Sequence, residues 1–150
     1  MKKHLITFLV AFVACVAALY AYNQYQIRKF QTVAHLVEGL TLASSFKGPV
    51  AGYFAAEGRF PKTNAEAGLG PAQQYHGQSV TSVAVTAGGR IVVTFNEKSG
   101  IAGGTILLTP AALHGVDGNV SWECTSPSFS RIEVAMSTCK YVTAAAPSTN

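Results

Sequence analysis

Leu5 to Phe54 reads LITFLVAFVACVAALYAYNQYQIRKFQTVAHLVEGLTLASSFKGPVAGYF, and its two halves follow different patterns. From Leu5 to Tyr22 the run is 18 residues long, carries no charge and has one aliphatic hydroxyl, Thr7. As a helix it spans about 27 Å, close to the hydrocarbon thickness of a bilayer. From Gln26 onward, Ile27, Phe30, Val33, Ala34, Val37, Leu40, Ala43, Phe46, Val50 and Phe54 recur three or four apart, a spacing that gathers side chains on one helical face. Such a face needs an apolar cover. The expectation is one long helix whose first half meets lipid and whose second half carries a folded head, with Ile27, Phe30, Val37, Leu40, Phe46, Val50 and Phe54 packing on that head.

The chain has 150 residues, enough for one modest domain beyond the apolar run and too few for a second. Charged residues make up 12% of it, and the net charge of +4 comes partly from Lys2, Lys3, Arg28 and Lys29 on either side of the apolar run. No Lys/Arg cluster interleaved with aromatics follows, so the basicity belongs to membrane flanks, and membrane lipid rather than nucleic acid is the expected partner. Tyr20, Tyr22 and Tyr25 fall where an interfacial belt would, and the helical pattern continues past them. Both points favour an uncleaved anchor with a cytoplasmic N-terminus. The competing readings are a cleaved signal at Val16-Ala17-Ala18 and a lipoprotein box at Val13-Ala14-Cys15.

After the helix the punctuation changes. Gly48-Pro49 predicts a kink or break, with the helix resuming from Val50 to Glu57. Gly58, Phe60 and Pro61 form the expected helix exit. Lys62 to Gln78 reads as a surface loop. Val80 to Ala87 and Arg90 to Asn96 alternate around Gly88-Gly89 and predict a β-hairpin. Thr105 to Thr109 predicts a third strand ended by Pro110, and Val120 to Cys124 a fourth after the Asp117-Gly118-Asn119 turn. Short connections predict antiparallel pairing, and the amphipathic half of the helix is the element long enough to cover the sheet.

Cys124 and Cys139 are too far apart for a CxxC pair and have no companion ligand at metal spacing. They form a disulfide if the head lies outside the cytoplasm, and are two free thiols if it does not. His4, His35, His76 and His114 are scattered, and no serine sits in a GxSxG elbow. No catalytic, metal-binding or cofactor-binding set is expected, and the chain does not read as an enzyme.

Four segments, in order, resemble the type IV pilins of bacteria. They are Ala21-Tyr22-Asn23-Gln24-Tyr25 at the membrane exit, Glu38-Gly39-Leu40-Thr41-Leu42-Ala43-Ser44 in mid-helix, Glu57-Gly58-Arg59-Phe60-Pro61 at the helix exit, and Trp122-Glu123-Cys124 with Cys139-Lys140 near the C-terminus. The resemblance implies an α+β ladle, with a long N-terminal helix packed on a four-stranded antiparallel sheet and a disulfide between Cys124 and Cys139. It divides the chain into an anchor over 1–25, a head over 26–143 and a disordered tail over 144–150. It also implies a single pass through the inner membrane with a periplasmic head, or an extracellular place in a filament. The implied partners are other pilin subunits or pilus assembly proteins, in a homo-oligomer or filament. Family precursors carry a leader ending in Gly and a Glu within the membrane helix, whereas here no Gly precedes Gly39 and no acidic residue precedes Glu38. A translation start lying further upstream would account for the difference. The alternative it raises is a non-polymerising, membrane-anchored accessory module that engages the pilus machinery.

Overall fold

The computed structural model describes residues 2–113 and 119–143, with side chains at all of these except positions 2, 3, 5 and 28–31. Contacts divide the chain into two units, Met1–Thr32 and Val33–Asn150. Helix α1, Lys2–Glu57, contributes to both. In the first unit every described side chain from Ile6 to Asn23 is exposed, including Phe8 at 78% and Phe12 at 65%. From Ile6 on, α1 is long and apolar enough to cross a membrane.

The second unit packs α1 against one sheet. Its strands are β1 Val80–Thr86, β2 Arg90–Phe95, β3 Thr105–Ala112, β4 Val120–Ser126 and β5 Cys139–Tyr141, in that spatial order, and a short helix α2, Ile132–Ala135, precedes β5. The first four strands pair antiparallel, each with the next. Alternation along β1 to β4 turns Val83, Val85, Ile91, Val93, Phe95, Ile106, Leu108 and Cys124 to one face, where all are buried. Facing them, Leu36, Gly39, Ala43, Phe46 and Val50 on α1 are buried at spacings of three and four. Those spacings keep one stripe of the helix on the sheet over four turns.

The closest approach is at Gly39. A Cβ built there would lie 2.3 Å from Cζ of Phe95 and 3.1 Å from Cγ1 of Val93, so the absence of a side chain lets the Phe95 ring meet the helix backbone. Phe95 cannot swing aside, because its other side meets Phe129 edge to face at 5.5 Å. Phe46 is fully buried and meets Tyr75 at 4.6 Å, which draws the loop after α1 onto the core.

Three features differ from the sequence expectations. α1 is not broken at Gly48-Pro49: Pro49 lies inside it. Proline removes one helical donor, but Phe46 and Val50, both fully buried, hold the turns on either side against the sheet. β3 continues through Pro110 to Ala112, with Pro110 opposite Trp122. Thr105 turns its N–H and C=O toward Ser128 and Ser126 on the β4 side, so alternation aims Pro110 at the β2 side. There β2 pairing ends at Ile91 and Leu108, and no donor is needed. The sheet has five strands rather than four, because β5 joins β4 in parallel with Cys124 opposite Cys139. A three-residue strand carries no readable alternation.

Two glycines on α1 should respond oppositely to added side chains. Gly39→Leu overpacks the Phe95 site and should lower head stability by about 1–3 kcal/mol. Gly52, with nothing within 4 Å of its built Cβ, should tolerate Ala and become more stable by about 1 kcal/mol. Urea unfolding of both variants checks this, and equal effects would contradict the docking of α1 through its Gly39 face.

Candidate functional site

Three attachments hold the second unit together, the first two of them on α1, and they decide which surfaces remain for partners. The first is a carboxylate staple. Glu38 accepts the backbone N–H of Gln78 at 2.6 Å and of Ser79 at 3.1 Å, and also the Ser79 hydroxyl, which reaches the His35 carbonyl at 3.2 Å as well. Gly77 makes room for it, since a Cβ there would fall 2.1 Å from Glu38 Oε1. Burial alone would push the Glu38 carboxyl up, but the Ser79 hydroxyl and the two N–H donors outweigh it and hold the group below its ordinary value. The staple sits at the entry to β1, so it ties the helix to the first strand.

The second attachment is the helix exit. Gly58, at φ 68°, ends α1 by donating its N–H to the Phe54 carbonyl at 2.9 Å. Phe60 then stacks on Phe54 at 4.3 Å between ring centroids, and Pro61 is buried. The Pro61 carbonyl accepts the Gly89 N–H at 2.8 Å at the tip of the β1–β2 hairpin. Gly89 has a positive φ of 71°, and a Cβ there would lie 3.0 Å from Phe60. The helix exit and the hairpin turn are therefore one packed corner. Beside it, Asn64 donates to the carbonyls of Gly70 and Val83 and accepts from the Val85 N–H, covering the outer edge of β1.

The third attachment lies at the opposite end of the sheet. Cys124 and Cys139 form a disulfide with 4.5 Å between their Cα atoms, fastening β5 beside β4. The segment between them folds back under the sheet through Phe129, Ile132 and Met136, all buried. Ser126 Oγ donates to the Thr105 carbonyl at 2.7 Å and accepts the N–H groups of Ser128 and Phe129. Glu133 accepts the Tyr141 N–H at 3.0 Å.

Of the seven side chains expected to pack between helix and head, Phe46 and Val50 are fully buried, Leu40 packs partly buried against the core, and Phe54 is half-buried on Phe60. Val37 is 45% exposed, and the residue before it, Leu36, takes the buried place. Ile27, in the first unit, is 41% exposed. The Phe30 side chain, the Asp117-Gly118 turn and the 144–150 tail lie outside the described residues. The sequence gives no sign that Glu38, Ser79 and Asn64 act as tethers, since Glu38 reaches Ser79 across 41 residues and Asn64 reaches Val83 and Val85 across 19 and 21. The signal for Leu36 was present, because 36, 39, 43, 46 and 50 keep a regular three-four rhythm once glycine is admitted as a packing residue.

The face of α1 turned away from the sheet carries Thr41, Ser44, Gly48, Gly52 and Ala55, all exposed and small. Thr41 and Ser44 return their hydroxyls to the carbonyls of Val37 and Leu40 at 2.9 and 2.8 Å. Built Cβ atoms on Gly48 and Gly52 meet nothing within 4 Å. Among the described residues, no three His, Cys, Asp or Glu side chains gather as a metal site would require.

Residues 33–148 match the pilin family (bacterial filament). The match begins where the second unit begins and does not include the apolar first unit. The chain is also similar to the fimbrial protein EcpC of Eikenella corrodens, at 37% identity over 115 residues, covering 73% of this chain and 69% of the relative.

Acid should release the staple. Because the folded Glu38 carboxyl sits below its ordinary 4.5, its contribution is complete above that pH and is lost as the pH falls through the folded value. Glu38→Gln should cost about 1–3 kcal/mol at pH 7 and flatten the acid limb. The residual slope comes partly from Glu66, held low by the Lys62 N–H and Arg59. Unfolding midpoints from pH 7 to pH 3 check it. Reduction of Cys124–Cys139 should remove roughly 3 kcal/mol, read in the same assay.

Proposed function

The chain belongs to the pilin family of bacterial filament proteins, and from that premise we propose that it is a structural subunit of a type IV pilus or a related filament, not an enzyme. Before assembly, the apolar first half of α1 anchors it in the inner membrane with the head in the periplasm; after assembly, the head is on the filament surface. The observation that carries this reading is the all-round exposure of apolar side chains from Ile6 to Leu19. Bare, that surface is unstable in water, and it is stable only in lipid or against other helices. Copies of the same chain supply such helices, and a repeated contact that does not close on itself builds a filament. The small outward face from Thr41 to Ala55 allows close approach along the sheet-packed half of α1. The head-closing disulfide supports an oxidising compartment for the folded head.

A second reading is favoured by one observation. The first acidic residue of α1, Glu38, is engaged by Gln78 and Ser79 inside the head and is not free to pair with a neighbouring helix. On that reading the protein stays in the membrane as an accessory that engages the assembly machinery.

Shearing surface filaments from producing cells and probing for this chain separates the two. The subunit reading expects the chain as a repeating component of the sheared fraction, and recovery in the inner membrane alone contradicts it. Gly52→Leu should then lower the sheared yield severalfold while the unfolding midpoint of the head is unchanged or raised, because the added side chain meets nothing within the monomer. Wild-type yield from that variant would remove the outward face of α1 from the assembly contact.

A further inference from the structure

We propose that Asn119 is an acceptor for N-linked glycosylation, with a lipid-diphosphate-linked oligosaccharide as donor and an envelope transferase as catalyst. Asn119-Val120-Ser121 is an Asn-x-Ser triplet with a non-proline centre, and no other asparagine of the chain stands two residues before Ser or Thr. Such a triplet is short enough to arise by chance, so its placement carries the argument.

Asn119 and Ser121 are both exposed. The Asn119 side chain makes no hydrogen bond among the described residues, while its backbone carbonyl accepts the Leu113 N–H at 3.1 Å, which fixes the chain on either side of the connection. The Ser121 side chain makes one exposed hydrogen bond, from its hydroxyl to the Ala111 carbonyl at 3.2 Å. The acceptor amide is exposed, and the hydroxyl that a transferase reads is held only at the surface.

Sheet topology adds access. β2 ends opposite Leu108, but β3 and β4 go on pairing through Ala111↔Ser121 and Ala112↔Val120. The triplet thus begins on a two-stranded extension beyond the body of the sheet, where Ala111, Ala112, Leu113, Asn119 and Ser121 are all exposed. A bulky membrane enzyme can reach this extension without opening the core.

In the transfer, Asn119 Nδ2 forms a bond to the anomeric carbon of the first sugar and the bond from that carbon to the diphosphate oxygen breaks. The lipid diphosphate leaves with the electron pair, and one amide proton passes to a base of the enzyme. No oxidant or metal from this chain is needed. A glycan at this position would add polar bulk to the head surface without disturbing the buried stripe of α1.

The location of the transferase outside the cytoplasm rests on the exported head of the proposed function; the following assay does not, so the two can fail separately. Full-length, disulfide-bonded protein in detergent is incubated with a bacterial oligosaccharyltransferase and its lipid-linked oligosaccharide, and the products are read by intact mass and peptide fragmentation. The expected result is one oligosaccharide per chain, on the peptide containing Asn119, absent from Asn119→Gln and Ser121→Ala. The unfolding midpoints of both variants should match wild type, showing that loss of transfer is not loss of fold. Unmodified wild type, modification that persists in Asn119→Gln, or transfer only to the reduced and unfolded chain would overturn the proposal.

Discussion

The seam between α1 and the sheet is the constraint on which the head depends. Leu36, Gly39, Ala43, Phe46 and Val50 present a stripe that covers the inner face of β1 to β4 alongside Phe129, Ile132 and Met136, and the buried face of the sheet covers that stripe in turn. Separated, both would expose their apolar faces to water. The seam is tight because Gly39 lets Phe95 reach the helix backbone, and it is centred on Phe46, whose ring also gathers Tyr75 from the following loop. Polar tethers then set direction: Glu38 orients the entry to β1, and the Pro61 carbonyl orients the hairpin tip.

This arrangement gives one helix two duties. The stripe facing the sheet is occupied internally, while the outward face of the same segment and every described side chain from Ile6 to Asn23 are exposed. Function follows from what is unsatisfied. An apolar helix with exposed side chains throughout is a strong demand for association, whereas the head has no buried polar side-chain atom without a partner among the described residues. The disulfide at β4–β5 and the packed corner at Phe60–Gly89 stabilise opposite ends of the sheet.

Much of this was legible in the residues. The length and polarity of Leu5 to Tyr22 indicated a membrane-compatible helix, and Gly88-Gly89 between alternating runs indicated the β1–β2 hairpin that is present. Phe46 and Val50 follow from helical period alone. Val37 differs because both it and Leu36 are apolar neighbours, and period cannot choose between adjacent positions without knowing that glycine at 39 is the contact point. A break at Pro49 and a strand end at Pro110 are both absent for a common reason: proline removes a donor, but the consequence depends on whether tertiary contacts hold the turn or whether a partner strand is present at that position. β5 was invisible because three residues, held by a disulfide and by β4, have no pattern of their own. The Glu38 staple joins groups about forty residues apart, and local sequence carries no trace of it.

Native-state hydrogen exchange on the full chain in lipid tests the seam most directly. If helix and sheet form one cooperative unit, amides of residues 36–50 and those of Val83, Ile91 and Val93 should exchange with the same free energy and lose protection together in Gly39→Leu. Exchange of the 36–50 amides at a distinctly lower free energy than the strands, in the wild type, would contradict the claim that the helix is part of the core of the head.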